Sequence, residues 1–314
     1  MKFRTEIPIQ KEPYPVDYQG YILLMGSCFS IHIHQKLAHF KFPCIGNPFG
    51  ILYNPIAIEK VLTRSLNGYQ YATDDLFMLN EQWHSFDAHS ELSSPDQKSL
   101  IANLNNAVSR TATGLANSKH IIITLGSAWV YRHIETDAIV GNCHKVPQKK
   151  FLKELLSVKQ IIASLENSMT LIKALNPHVK FIFTVSPVRH LKDGFTENSR
   201  SKAHLITAIQ SLVDKKTGIF YFPSYEILTD DLRDYRYYED DMVHPNKKAI
   251  DYVWNVFKEA WIDPKCFPVM QEVDNIQKGL GHKPFNPDSN QHRAFREQLN
   301  EKIQKLEKDH GIQF

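Results

Sequence analysis

Four short apolar runs, each cut off by turn residues, constrain this chain more than any other feature. Residues 21–25 stop at Gly26, 120–125 at Gly126, 180–185 at Ser186-Pro187, and 218–222 at Pro223. Runs this short, apolar on both faces, suit strands buried in a parallel sheet. Between them the period changes. Ile162, Leu165, Met169 and Ile172 recur with 3-4-3 spacing on one helix face, and Asn176-Pro177 ends that helix before the next strand. Residues 97–117 and 199–214 also read as amphipathic helices, as do 30–39 after Ser27-Cys28 and 246–260 after His244-Pro245. This strand–helix alternation predicts an α/β fold, a three-layer α/β/α sandwich around a parallel sheet. Such sheets bind ligands beyond the carboxyl ends of their strands, where Gly26, Gly126 and Ser186 stand.

Two insertions break the alternation. Residues 66–97 contain Trp83-His84-Ser85-Phe86-Asp87-Ala88-His89-Ser90 and read as an irregular or short-stranded excursion. Residues 129–143 show two β-rich arms, 129–132 and 138–140, around Glu135-Thr136-Asp137, the pattern of a hairpin. No repeat or linker divides residues 1–265, which we read as one elaborated domain. Residues 266–314 form a polar, Pro-containing extension ending in a helix with Phe295, Leu299, Ile303 and Leu306 on one face. That stripe suits packing on the body or on a neighbouring subunit.

Composition narrows the function classes. The net charge of +3 over 314 residues gives no support for a nucleic-acid or membrane-surface role. No run approaches the roughly 18 apolar residues of a membrane span. The opening Met-Lys-Phe-Arg-Thr-Glu-Ile-Pro lacks the apolar centre of a signal peptide, which predicts a cytoplasmic protein with reduced thiols. The 4 cysteines, Cys28, Cys44, Cys143 and Cys266, form no CxxC pair. Histidines (15) outnumber glycines (13), yet the count does not imply a metal. His32-Ile33-His34 would point to different helix faces, and no third ligand is evident. With no Walker, Rossmann or zincin motif either, no metal and no cofactor are predicted.

The chemistry concentrates in two places. In Leu24-Met25-Gly26-Ser27-Cys28-Phe29-Ser30, a strand meets a helix at two nucleophile-capable side chains. The helix dipole there favours a thiolate or an oxyanion; equally, Ser27 suits an N-cap and Cys28 a small buried apolar residue. Far along the chain, Asp241-Met242-Val243-His244-Pro245 leads into a helix. A carboxylate three residues before a histidine is placed to hold Nδ1, so that Nε2 faces a nucleophile.

Taken together, these two segments resemble the SGNH/GDSL hydrolase superfamily, and more closely its relative the GSCFA family, named for an amino-terminal motif. Gly26-Ser27-Cys28-Phe29 carries four of the five letters, with Ser30 in place of the final Ala. The likeness runs on through residues 47–55, 124–131, Asn142-Cys143-His144-Lys145, 184–190, Ser201-Lys202-Ala203 and Asp241-Met242-Val243-His244-Pro245. It implies a flavodoxin-like sheet and an ester or thioester hydrolase or acyltransferase, with His244 as base and Asp241 as its orienting partner. Ungapped alignment on Gly-Asp-Ser-Leu makes Cys28 the nucleophile; a shift of one makes it Ser27. The superfamily's oxyanion Asn is missing, because Ala128 stands at its position in Gly126-Ser127-Ala128. Asn47 and Asn142 are the replacement candidates, with the Gly50 N–H as the backbone donor and Gly126, His144 and Arg189 as substrate-contacting residues; Arg189 suits a carboxylate or phosphate. The expected partner is a small-molecule or glycan acyl substrate. The alternative is an inactive scaffold of the same fold that binds a glycan or an acylated ligand.

Overall fold

The computed structural model describes residues 4–287 and 289–314. The first three residues, part of the amino-terminal stretch read for a leader, lie outside them. Five parallel strands form the central sheet: β1 (Tyr21–Gly26), β2 (Cys44–Gly46), β5 (Ser118–Leu125), β9 (Lys180–Val185) and β10 (Ile219–Tyr221), in the order β2-β1-β5-β9-β10. The four apolar runs are all strands of this sheet. Strand β2 gave no signal because three residues carry no period of their own; it is recruited by pairing Cys44 and Ile45 with Ile22 and Leu23.

Alternation along each strand divides the core in two. Leu23, Met25, Ile121, Ile123, Phe181 and Phe183 face one side. There they pack against α2 (Pro55–Leu66), α3 (Gln97–Asn117), α4 (Val158–Leu175) and α5 (Phe195–Leu212). Ile22, Leu24, Ile122, Ile182 and Phe220 face the other side, against α1 (Cys28–His39) and the helix Lys247–Trp261. The period of two thus produces the three predicted layers. Counting only the parallel strands, the order is 2-1-3-4-5, so the sheet reverses direction between β1 and β5. A crevice opens at such a switch point, beyond the strands' carboxyl ends. Gly26 ends β1 and Gly126 follows β5 at that point of the sheet.

The insertions build small antiparallel sheets. β3 (Phe77–Leu79) and β4 (Gln82–His84) form a hairpin in the first. In the second, β6 (Trp129–His133) and β7 (Ala138–Val140) make the expected hairpin, but β8 (Phe151–Leu155) also pairs with β6, so the excursion extends to residue 155. Phe86 stacks on Phe77 at 4.3 Å between ring centroids and sits 4.9 Å from His133, which joins the two insertions. Beneath them, buried Asp87 meets Lys60 at 2.6 Å and Arg64 at 2.8 Å, both on α2.

A short helical turn, α6 (Ser224–Glu226), runs into a π-helical segment (Ile227–Leu232) ahead of the Lys247–Trp261 helix, numbered α7. After it, the chain holds one helix more than the sequence reading expected, α8 (Phe267–Leu280), before the final α9 (Asn290–His310). The stripe on α9 packs on α8: Leu299 and Leu306 are buried with Val273 and Ile276, Ile303 is partly buried against them, and Phe295 is left 36% exposed. No helix among the described residues is long and apolar enough to cross a membrane.

Candidate active site

The turn that carries Ser27 and Cys28 is shaped by what surrounds it. Gly26 has φ +135°, and a Cβ there would run into the Thr124 carbonyl of β5, so only glycine fits. Asn47 clamps the turn from the other side: its Oδ1 accepts the Gly26 N–H at 2.9 Å. Ser27 is the N-cap of α1, its Oγ accepting the Phe29 N–H at 3.3 Å, and it is 1% exposed. Cys28 is the first residue of the helix and is half-buried. Burial pushes its thiol up; the Phe29 N–H, the charge of Lys202 and its own N–H pull it back.

Opposing forces of the same kind act on Lys202. This lysine is 1% exposed and pairs with no carboxylate among the described residues; its ammonium donates to Gly126 O at 2.8 Å and Ser186 O at 2.7 Å, just past the ends of β5 and β9. Burial pushes it down to about 7, and a Cys28 thiolate would raise it again. The sequence reading gives Ser201-Lys202-Ala203 as part of the family likeness and misses this burial. The signal was present: Lys202, Leu205 and Ile209 share the inward face of α5 at i, i+3 and i+7.

The Asp241–His244 loop is local in construction. Asp241 Oδ2 lies 2.6 Å from His244 Nδ1, while its Oδ1 accepts the N–H groups of Val243 at 2.8 Å and His244 at 2.9 Å. A carboxylate only accepts, so Nδ1 carries the proton and Nε2 is left as the acceptor. The His244 N–H, its ring and the Val243 N–H hold Asp241 down at about 2. Both side chains are roughly half exposed, at 46% for His244 and 49% for Asp241. Arg189 braces the loop through its N–H to Val243 O at 3.2 Å, and its guanidinium lies 4.2 Å from the Tyr238 ring centre.

Ser27, Cys28 and His244 line one cavity of about 740 Å³, together with Arg189, Asn142 and His144. The insertions supply much of its wall, through Trp129, Tyr131 and Val140. A larger groove of about 870 Å³ between α1, α7 and α8 holds no nucleophile–base pair among the described residues; His32 lines it, whereas His34 packs against Gly46.

Several expected roles do not fit the geometry. The Gly50 N–H is spent on Asn47 O at 2.8 Å, a Cβ there would lie 2.4 Å from His89 Cβ, and Gly50 does not line the cavity. Asn47 is also off the cavity, with its Nδ2 buried and unpartnered. Gly126 and Ser127 donate to Tyr53 O at 2.8 and 3.1 Å, and Ala128 donates to Ser201 Oγ at 2.7 Å. The loop after β5 therefore has no N–H left for an oxyanion. What Gly126 provides is closeness: a Cβ there would lie 2.6 Å from Tyr53 Cβ and 3.3 Å from Ser27 Cβ. His144 reaches the cavity, but its Nε2 lies 2.8 Å from Ser85 O and its Nδ1 3.1 Å from Ser90 Oγ. Burial holds it neutral, down at about 4. Asn142 lines the cavity with its Oδ1 fixed by the His144 N–H at 2.8 Å. His190 is a further neutral group, pushed down to about 3 first by burial and then by Lys202 and His244.

Comparison with known proteins places most of the chain. The GSCFA family model matches residues 21–257, and the model of the GSCFA domain protein C-terminal domain matches residues 273–313. No curated protein matches the sequence. Among solved structures, a carbohydrate esterase family 3 from Talaromyces cellulolyticus aligns with a TM-score of 0.38 and 10% identity, covering 81% of this chain and 99% of that one. An acetyl esterase mutant with acetate ion aligns with a TM-score of 0.37, 10% identity and the same coverages.

Proposed function

The chain belongs to the GSCFA family, and from that premise we propose that it hydrolyses or transfers an acyl group held as an ester or thioester. Cys28 is the nucleophile in this reading, His244 the base and then the acid, and Asp241 the group that orients His244. One observation carries it: a thiol at a helix N-terminus and a histidine with its Nε2 free line the same cavity. Cys28 is favoured over Ser27 because the serine hydroxyl is buried and engaged as the cap.

The steps follow from these positions. His244 Nε2 takes the Cys28 proton as sulfur attacks the acyl carbon, and the carbonyl π pair moves onto oxygen. Collapse of that adduct expels the alcohol or thiol, which takes the proton from His244. A water or an acceptor hydroxyl then gives its proton to His244 as its oxygen bonds to the acyl carbon; the C–S bond breaks, and the Cys28 sulfur leaves with the electron pair and takes the proton back from His244. Burial pushes the Cys28 thiol up, which places the demand for a proton acceptor on His244. The four cysteines, all free, suit a reducing cytoplasm.

A second reading, an inactive scaffold that binds a glycan or acylated ligand, draws on the spent amides after β5. Labelling separates the two. Iodoacetamide at mildly acidic pH is expected to alkylate Cys28 ahead of Cys44, Cys143 and Cys266, and a fluorophosphonate to leave Ser27 unlabelled, as read by peptide mapping. Four equally slow thiols, with no turnover of small acyl esters or thioesters, would leave only the binding reading.

A further inference from the structure

Attack on an acyl carbon creates an oxyanion, and its stabilisation needs donors that face open space rather than protein acceptors. The amides of Gly126, Ser127 and Ala128 fail that test, as does the Gly50 N–H. Asn54 passes it. The Asn54-Pro55 pair opens α2, with Asn54 as the N-cap and Pro55 in the first turn. Its Oδ1 accepts the Ala57 N–H at 2.8 Å, which settles which end of the amide is oxygen. A carboxamide is planar, so pinning the oxygen to the helix turns Nδ2 away from it. Asn54 is 2% exposed and lines the cavity; its Nδ2 makes no hydrogen bond among the described residues, yet is not sealed off as the Asn47 Nδ2 is.

The segment is also stitched to the nucleophile turn. Leu52 N–H donates to Gly26 O at 3.0 Å, and Tyr53 O receives the Gly126 and Ser127 N–H groups at 2.8 and 3.1 Å. Asn54 therefore sits on backbone tied to both strand ends that flank Cys28. Asn142, in contrast, is carried by the insertion, with its N–H on Phe86 O at 3.3 Å. The Cys28 N–H, at the first position of α1, has no backbone acceptor among the described residues.

We propose that Asn54 is the side-chain oxyanion donor of this site, its Nδ2–H acting together with the Cys28 N–H. The assignment rests on the acyl-transfer reading. In the step concerned, the Cys28 sulfur bonds to the carbonyl carbon, its proton passes to His244, and the π pair becomes the oxyanion that Asn54 receives.

Two variants separate this role from capping. Asn54→Ser keeps an oxygen for the Ala57 N–H but has no amide donor, and Asn54→Asp keeps the cap while opposing the oxyanion. For Asn54→Ser, kcat on a small acyl thioester is expected to fall about 10²–10³-fold with KM little changed and Tm near wild type. Asn54→Asp should fall further. A small trifluoromethyl ketone, which forms the same tetrahedral oxyanion on either nucleophile, provides a readout independent of turnover. Fluorine NMR should show its adduct weakened about 10²-fold in Asn54→Ser, while iodoacetamide, which forms no oxyanion, alkylates Cys28 at the wild-type rate. If the wild type forms the adduct and Asn54→Ser forms it equally tightly, Asn54 is not the donor and the acyl-transfer reading stands. If the wild type forms no adduct and turns over no thioester, that reading falls and the assignment falls with it.

Discussion

The Asp241–His244 loop and the turn that carries Cys28 line one cavity but are assembled in opposite ways. The loop is half exposed and almost self-contained: three contacts from one carboxylate, all within three residues, set its shape. The turn is enclosed by distant parts of the chain. Asn47 holds Gly26, Thr124 accepts from Ser27, and Lys202 underpins Gly126. A self-contained group tolerates substitution without loss of fold, whereas a group built by long-range contacts couples chemistry to stability. The first therefore suits a proton carrier, which has to meet water and substrate; the second suits a charge that must be held apart from water.

That contrast is open to direct attack. The largest effect is expected from His244→Ala, which should lower turnover about 10²–10⁴-fold while leaving Tm near the wild-type value. Equal activity in mutant and wild type would remove the acid–base reading altogether. Next comes Lys202→Met, which deletes a buried cation. The alkylation rate of Cys28 should fall, because one of the groups that pull its thiol down is gone. Its stability has a definite sign as well. A folded-state value near 7, against an ordinary lysine near 10.5, means the unfolded chain binds more protons between those limits. Wild type should thus gain stability relative to Lys202→Met as pH rises through that window; a Tm difference flat from pH 7 to 10 would show that Lys202 is not desolvated as described.

Smaller effects test the turn and the loop separately. Ser27→Ala removes the cap of α1 and should cost about 1 kcal/mol by denaturant unfolding while keeping turnover. Loss of all turnover in that folded variant would move the nucleophile to Ser27. The smallest change should come from Asp241→Asn in acid. Because Asp241 is held down at about 2, the stability it contributes is present above the ordinary carboxylate range and disappears as pH falls from about 4 to 2. Thermal melts of wild type and Asp241→Asn should converge across that interval, and a constant gap would exclude the linkage.

Much of the architecture was legible beforehand because it depends on period. The runs ending at Gly26, Gly126, Ser186 and Pro223 became strands of one parallel sheet, and residues 97–117 became α3 over the same span. The elements that escaped have little period or borrow their stability: β2 exists through pairing with β1, and β8 through pairing with β6. In the candidate site, the Asp241–His244 contact lies at a three-residue spacing and so could be read from the chain. The roles expected of Gly50, Gly126 and His144 could not be checked that way. Whether an N–H or a ring nitrogen is available depends on what lies opposite, and here the acceptors are Asn47 O, Tyr53 O and Ser85 O.

By itself, then, the sequence determined the layered sandwich, the placing of the candidate site beyond the strand ends, and a histidine held by its neighbouring aspartate. These follow from hydrophobic period and covalent spacing, which act within a few residues. Tertiary structure alone decided that Lys202 is buried under the turn that carries Cys28, that the amides after β5 are already bonded, and that Asn54 opens toward the cavity. Hydrogen-bond availability and desolvation belong to a three-dimensional neighbourhood, and segments far apart in the chain supply that neighbourhood only after the sheet has formed.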